Sequence, residues 1–446
     1  MSYQSNFDNF NEWITGLFPD QKEYLQATRE LARDVIDIFN AHEPYKKNDV
    51  LRRLSMPERI IHFSVPWLND QGNVEINQGW RIQHNGMIGP YKGGLRFHPT
   101  VNESILKFLA FEQCFKNALT GLPIGGAKGG ADFNPKGRSD QEIMRFCQAF
   151  MTELQRHIGP YTDVPAGDIN VGSREIGYLY GQYRRINNRF GGAITGKDIS
   201  FGGSHVRTEA TGFGLIYMLQ AVLKEHHENI ADMRIGISGA GNVALHAALK
   251  AIEHGACVIS LSNSRGCLIV DKGLTTADIN WAIDNKAHKD NILTALAERV
   301  QGQWHDGKTP WQEKMDIALP CATQNELDGE AAKTLLQNKV KYVLEGANMP
   351  CTDKARQEFD RSEIPFVPGK ASNAGGVAIS GLEMSQNASF RRGSYTSIDE
   401  TLEDIMHNIH QQCVDEGREN NRINYARGAN IAGFRRLADA MVLQGI

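Results

Sequence analysis

Apolar residues along the first forty positions fall at helical spacing. Leu25, Leu31, Val35, Ile36 and Phe39 recur with charges between them, so residues 5–40 predict two amphipathic helices. Between 59 and 85 the period changes to two. Ile61, Phe63 and Val65 alternate with polar neighbours, then Val74 and Ile76, then Trp80 and Ile82, which predicts antiparallel strands. Helical spacing returns over 100–119, where Ile105, Leu106, Leu109 and Ala110 form a stripe and Thr100 and Glu103 have the spacing of a capping box. Gln113 and Lys116, three residues apart, share a face near the end of that helix. A further helix is expected over 139–158. The stretch 191–214 is rich in Gly, Thr and Ser and reads as a hinge, with a domain boundary near Gly203.

The second half opens differently. Arg234-Ile-Gly-Ile-Ser238 is a short strand. Gly239-Ala-Gly241-Asn242-Val243-Ala244 follows, then a helix over 244–253, Gly255 as its C′ residue, and a second strand over 258–262. This is a βαβ opening with GxGxxA at its first turn, the arrangement that lets a pyrophosphate approach backbone and helix N-terminus. Later strands end in Leu319-Pro-Cys-Ala-Thr323, Val343-Leu-Glu-Gly-Ala-Asn348 and Phe366-Val-Pro-Gly369. Ligands in open α/β sheets sit beyond such strand ends, so Asn348 and Asn373 are candidates to bond a nicotinamide or ribose. Ser380 is expected to start a helix, and the tail to residue 446 to be helical and to return to the first domain. The fold class expected is α/β with two domains separated by a cleft. An N-terminal α/β substrate and assembly domain spans 1–203, completed by about 375–446. A Rossmann-like dinucleotide-binding domain spans 204–374.

A length of 446 residues agrees with about two or three domains. Apolar content of 41% and charged content of 22% are those of a globular enzyme. A net charge of -4 without basic blocks argues against nucleic acid as a partner. Seven scattered cysteines with no CxxC pair read as reduced thiols and a cytoplasmic location. No run of about 18 apolar residues marks a membrane span, and the N-terminus has no secretory pattern. The histidines do not cluster with carboxylates at ligand spacing, so no metal is expected.

Candidate chemistry gathers in the first half. Lys128 lies in Gly121-Leu-Pro-Ile-Gly-Gly-Ala-Lys-Gly-Gly-Ala-Asp132, a glycine-rich loop by sequence. A phosphate-binding P-loop needs Gly before the Lys and Ser/Thr after it, and here Ala127 and Gly129 stand instead. Two readings remain: an amine placed as acid, base or electrostatic catalyst with a depressed pKa, or a glycine-rich turn with an incidental lysine. Lys92, in Gly89-Pro-Tyr-Lys-Gly-Gly-Leu-Arg-Phe-His-Pro99, is again followed by paired glycines and is expected on a turn. With Lys116, three lysines converge, an arrangement that suits an anion with more than one carboxylate or phosphate. Asp168, after Pro165 and Gly167, is a turn former or a proton carrier. At the close of the second Rossmann strand stands Asn263, not the acid that binds a ribose 2′-hydroxyl. Ser264, Arg265, Lys286 and Lys289 are nearby, so NADP is expected over NAD.

These motifs resemble the hexameric, NADP-linked microbial glutamate dehydrogenases of the Glu/Leu/Phe/Val dehydrogenase superfamily, end to end. The blocks just quoted carry the likeness, with Asp163-Val-Pro-Ala-Gly-Asp168, Ser200-Phe-Gly-Gly-Ser204, Glu209-Ala-Thr-Gly-Phe-Gly214, Ile317-Ala-Leu-Pro-Cys-Ala-Thr-Gln-Asn-Glu-Leu327 and Glu345-Gly-Ala-Asn-Met-Pro350. The resemblance implies that Lys92 and Ser380 hold the substrate's side-chain carboxylate. Gln113, Lys116 and the Gly167 backbone would hold its α-carboxylate, Lys128 would be the catalytic lysine, and Asp168 the proton carrier. Thr211 and Asn242 would contact the cofactor. The implied reaction interconverts glutamate with 2-oxoglutarate and ammonium in a homohexamer. Ser173, His205, Thr208 and Asn263 depart from the usual pattern, none at a proposed catalytic position. A dehydrogenase of an apolar amino acid would share Lys128 and Asp168 but not want a cation at Lys92. A non-catalytic nucleotide-binding protein would not need Lys128 or Asp168.

Overall fold

The computed structural model describes residues 7–286, 291–420 and 422–445. It divides into two compact units. The first is Met1–Arg207 with Val377–Ile398 and Asn430–Ile446, and the second is Thr208–Gly376 with Asp399–Ala429. The tail therefore does not return wholly to the first unit, as the sequence reading expects. Residues 399–429 are tied to the second: Asp399 accepts from Tyr217 Oη at 2.7 Å, Arg418 pairs with Glu225 at 2.6 Å, and Arg422 with Asp360 at 2.5 Å.

In the first unit, strands β1 (Arg59–Leu68), β2 (Val74–Asn85), β3 (Tyr91–Phe97), β4 (Gly126–Ala131) and β5 (Asp163–Gly167) form one sheet among the described residues, in the order β1-β2-β4-β3-β5. The β1–β2 hairpin and the β2–β4 pair are antiparallel; β3 runs parallel to both β4 and β5. Pro66 lies on the edge strand β1, where its missing donor does least harm.

Lys92 and Lys128 sit on strands β3 and β4, not on the turn and loop the glycines suggest. The reason is close approach. A Cβ on Gly93 would stand 1.7 Å from the Ala127 carbonyl oxygen, and one on Gly126 2.2 Å from Cys114 Sγ. The glycines let β3, β4 and the helix Glu103–Leu119 come together without side chains between them. That helix is capped by Asn102, whose side chain accepts from Ile105 N at 3.0 Å. Thr100, the expected cap, instead bonds His98 Nδ1 through its hydroxyl. The helix Asp140–Leu154 carries the capping box Ser139/Glu142 and buries Phe146. Phe146 stacks on Phe133 at 3.8 Å and meets the Phe97 ring edge-on at 5.1 Å. This aromatic core sits against β3, the strand that carries Lys92.

The second unit is built on β6 (Arg234–Ile237), β7 (Cys257–Asn263), β8 (Gly266–Ile269), β9 (Gln303–Asp306), β10 (Ile317–Leu319), β11 (Tyr342–Leu344) and β12 (Phe366–Val367). Their order among the described residues is β12-β11-β10-β6-β7-β8-β9. Strands β12, β11, β10, β6 and β7 are parallel, and β8 and β9 extend the sheet antiparallel. The helix Asn242–Glu253 joins β6 to β7 and ends at Gly255, which adopts φ 86°. The helix carrying Ser380 begins at Gly375, so Ser380 is an interior, buried position and not the expected helix start. No described helix is long and apolar enough to cross a membrane.

Candidate active site

Strands β3, β4 and β5 place the charged groups of the first unit. On β3, Lys92, Gly94 and Arg96 share one face by strand alternation. Lys92 is 1% exposed and its Nζ donates to Thr195 Oγ1 at 2.8 Å. Among the described residues it makes no ion pair. Burial, then the nearby Arg207 and Arg81 cations, pull its pKa well below the ordinary lysine value, against the opposing pull of Glu383 and Asp163. Arg207, half-buried, is a second cation with no ion pair among the described residues. Its Nε is buried without a hydrogen-bond partner among the described residues, and burial lowers its pKa. The residue before it, Val206, holds φ 62°, a costly conformation for a β-branched side chain. Buried, unpaired cations are expensive unless an anion completes them.

Lys128, on β4, forms an ion pair with Asp168, just past β5, at 3.1 Å from Nζ to Oδ2. Arg96 Nε reaches the same oxygen at 2.9 Å. Asp168 packs directly over Gly94, where an added Cβ would stand 2.8 Å from the aspartate Cβ. Burial lowers the Lys128 pKa, with Arg96 adding to the effect and Asp168 opposing it. Burial alone would raise the Asp168 pKa, but the Lys128 and Arg96 charges outweigh it and hold the carboxyl below its ordinary value. An ionised acid beside a buried amine with a lowered pKa has the make-up that proton transfer requires. Beneath it, Arg81 holds Asp163 through Nε at 2.9 Å and donates to the Gly93 carbonyl at 3.0 Å, tying β2, β3 and β5 together.

Gln113 lies over Gly93, its Cγ 3.4 Å from where a Cβ there would be. Its amide donates to Asn117 Oδ1 at 2.7 Å, and Asn117 donates to the Lys92 carbonyl at 3.1 Å. Lys116 follows one turn later, half-buried. Gly167 closes β5 next to Asp168. Ser380 is buried one turn before Glu383, whose carboxylate accepts from Lys197 Nζ at 2.8 Å and Gly196 N at 2.9 Å. Since Thr195 holds Lys92, the segment 194–197 links the Lys92 wall to the Ser380 helix. The sequence reading missed Arg96, Thr195, Arg207 and Glu383. Arg96 was readable, since it falls on the face of β3 that Lys92 shares; the others come from distant segments with no local pattern.

In the second unit, Gly239 (φ 93°) packs against Cys321 and Ala322 and donates its N–H to Ser262 Oγ at 3.0 Å. Gly241 N-caps the helix that opens with Asn242 and Val243. Its φ of -82° suits any residue, and a Cβ there meets nothing within 4 Å. The fold does not demand glycine at 241, and the helix N-terminus there is left open, as close approach of a pyrophosphate would require. Lys286 Nζ donates to Asn242 Oδ1 at 3.4 Å, bringing a cation to the same helix start. Ser264 and Arg265 form the exposed two-residue turn between β7 and β8. Asn263 is committed to that turn, accepting from Arg265 N at 2.9 Å and donating to Asn291 at 2.8 Å. Asn373 donates to Asn348 Oδ1 at 3.1 Å, joining the two loop asparagines. Thr211 is on the first turn of the helix Ala210–Glu225. Lys289 lies outside the described residues. Among the described residues no group of three or more His, Cys, Asp or Glu is placed to hold a metal ion.

Comparison with known proteins places the chain in a family. Residues 57–185 match the Glu/Leu/Phe/Val dehydrogenase dimerisation domain, and residues 202–445 match the Glutamate/Leucine/Phenylalanine/Valine dehydrogenase model. The chain belongs to the Glu/Leu/Phe/Val dehydrogenase family. Among its relatives in that family, the NADP-specific glutamate dehydrogenase of Escherichia coli is 49% identical over 446 residues, all of both chains. The NAD-specific glutamate dehydrogenase of Bacteroides fragilis is 50% identical over 443 residues, 99% of this chain and 100% of that one. The crystal structure of Plasmodium falciparum glutamate dehydrogenase superposes with a TM-score of 0.96 at 46% identity, covering 99% of this chain and 94% of that one. Within the family, then, near relatives of equal likeness differ in cofactor.

Proposed function

We propose that this chain catalyses the reversible oxidative deamination of L-glutamate to 2-oxoglutarate and ammonia with NADP. The observation that carries the substrate assignment is Lys92, a buried lysine that makes no ion pair among the described residues, with a second cation, Arg207, in its field. A side-chain carboxylate completes that pocket, and an apolar side chain would leave a bare charge. This argues against the leucine, phenylalanine and valine branches of the family. The glutamate dehydrogenases that are similar over the whole chain support the same reading.

In the mechanism, Lys92 and Ser380 hold the distal carboxylate, and Gln113, Lys116 and the Gly167 backbone hold the α-carboxylate. When bound, NADP supplies the acceptor for the hydride leaving the substrate α-carbon. Gly239, Gly241, Asn242 and Val243 would hold its pyrophosphate, and Thr211, Asn348 and Asn373 its ribose and nicotinamide. Ser264, Arg265, Lys286 and Lys289 would hold its 2′-phosphate. Lys128 in its neutral form takes a proton from water as the oxygen adds to the substrate imine. Asp168 passes protons between Lys128 and the departing nitrogen. In the amination direction each transfer reverses, with Lys128 starting protonated. The dimerisation-domain match supports assembly, and we take the assembly to be a homohexamer. The seven cysteines, all unbridged, support a reducing cytoplasm.

The substrate assignment is tested by comparing 2-oxoglutarate with 4-methyl-2-oxopentanoate as substrates for amination. Wild type should prefer the dicarboxylate strongly. Lys92→Met should lose about 10²–10⁴-fold in kcat/KM for 2-oxoglutarate, as expected for one buried charged contact, while gaining relative activity on the apolar acid. Equal use of both acids by wild type would overturn it.

A further inference from the structure

The segment that holds Lys92 is itself held by one carboxylate. Gly196 turns the chain with φ 85°, a conformation that favours glycine. The turn aims the Gly196 N–H, the Lys197 N–H and the Lys197 ammonium at the same acceptor, Glu383. Gly196 N donates to Oε2 at 2.9 Å, and Lys197 Nζ to Oε1 at 2.8 Å. Lys197 Nζ also donates to the Ile194 carbonyl and lies 5.6 Å from the centroid of the Tyr180 ring. Both side chains of the pair are 0% exposed. Glu383 stands three residues after Ser380 on the helix Gly375–Ser389, and Asn387, one turn on, donates to the Gly202 carbonyl at 2.8 Å. One face of that helix thus carries Ser380 together with the contacts that fix residues 194–202.

A buried ion pair adds little stability in general, because desolvation cancels most of the attraction. The surroundings give this one a second use. Two carboxylates, Asp163 and Glu383, act on Lys92, and Glu383 acts on Arg207 as well. Each is bound elsewhere. Asp163 accepts from Arg81 Nε and Gln83 Nε2, both at 2.9 Å, and Glu383 is taken by Lys197. Lys92 is left with a neutral hydroxyl, Thr195 Oγ1, as its partner. A carboxylate released at position 383 would be an internal copy of the group that Lys92 and Arg207 lack.

We propose that Lys197 is a positioning residue that sequesters Glu383, so that Lys92, with Arg207 in its field, stays open to the distal carboxylate of the substrate. Removing the ammonium frees Glu383 to turn to Lys92 or Arg207, where it competes with that carboxylate. The effect on substrate rests on the function proposed above; the movement of Glu383 does not.

The test joins a crystal structure to steady-state kinetics of the full-length protein. In Lys197→Met the Glu383 carboxylate should lie within about 4 Å of Lys92 Nζ or of the Arg207 guanidinium. KM for 2-oxoglutarate should rise about tenfold or more with kcat little changed, since an internal competitor weakens ground state and transition state alike. KM for NADPH should not move. Lys197→Met/Glu383→Gln removes the competitor and should return KM to within about threefold of wild type. A pair that only braces the fold predicts the reverse, with the double variant no better than the single one. Lys197→Gln, which keeps a donor for the Ile194 carbonyl, replaces Lys197→Met if that variant does not fold, with the same expected results. Glu383 still on the N–H groups of residues 196 and 197 in the single variant, or a double variant as impaired as the single one, overturns the proposal. A displaced Glu383 with unchanged KM upholds the sequestration and overturns the placement of the distal carboxylate at Lys92.

Discussion

At the scale of single residues, the account turns on Lys128 and its two neighbours. Asp168 Oδ2 is shared between Lys128 and Arg96, so the carboxylate remains charged, while burial, with Arg96 adding to it and Asp168 opposing, pushes the amine toward its neutral form. In the proposed mechanism the neutral amine is the form that activates water in deamination. The rate of that direction should therefore rise with pH as Lys128 deprotonates, with an inflection below the ordinary lysine value of 10.5. A kcat–pH profile without that inflection would count against Lys128 as the base. Arg96→Gln removes the cation that depresses Lys128 and a partner of Asp168. The inflection should then move to higher pH, with kcat reduced about 10-fold or more at neutral pH.

At the scale of elements, the glycines do two separate jobs that the sequence alone does not distinguish. Gly93 and Gly126 are required by packing, because β3, β4 and the helix Glu103–Leu119 touch backbone to backbone. Gly93→Ala should destabilise by about 3 kcal/mol or more, since the colliding partner is a carbonyl oxygen that has no room to move. A urea midpoint unchanged by this substitution would contradict the strand geometry. Gly241 is the opposite case: φ is ordinary and the space is open. Gly241→Ala should leave the urea midpoint unchanged and weaken NADPH binding by tenfold or so, about 1.4 kcal/mol. The chemistry of both motifs was legible in the sequence, as was the strand–turn–helix–strand of the second unit. What was not legible was that Lys92 and Lys128 ride on strands, since paired glycines favour turns in isolation and only the tertiary contact at Ala127 overrides that preference. Asn102 caps its helix although Thr100 and Glu103 have the more familiar spacing. Arg207 and Glu383, far apart in the chain, become neighbours only through the fold.

At the scale of the whole molecule, each unit holds a histidine that cannot charge without cost. His84, against Leu54 O in the first unit, and His410, beside Tyr425 in the second, are both lowered by burial to about 4 from 6.5. The unfolded chain binds a proton at each below pH 6.5, and the folded chain does so only near pH 4. Each therefore contributes stability that is complete above pH 6.5 and lost as the pH falls toward 4, about 3 kcal/mol per site. Urea midpoints measured from pH 7 to 4 should fall steeply below 6.5, and a flat profile would contradict both burials.

The division of labour between the units bears on function more directly. The first unit carries the cations proposed to hold a dicarboxylate and the second carries the loop proposed to hold the dinucleotide, so the proposed activity needs both. The most direct measurement follows absorbance of the reduced nicotinamide with 2-oxoglutarate and ammonium, NADPH and NADH side by side, for wild type and Lys128→Ala. The account predicts fast oxidation of NADPH, much slower oxidation of NADH, and loss of about 10³-fold or more in the variant. Equal rates with both cofactors would contradict the NADP assignment. Undiminished turnover by Lys128→Ala, or none by folded wild-type protein, would contradict the mechanism itself.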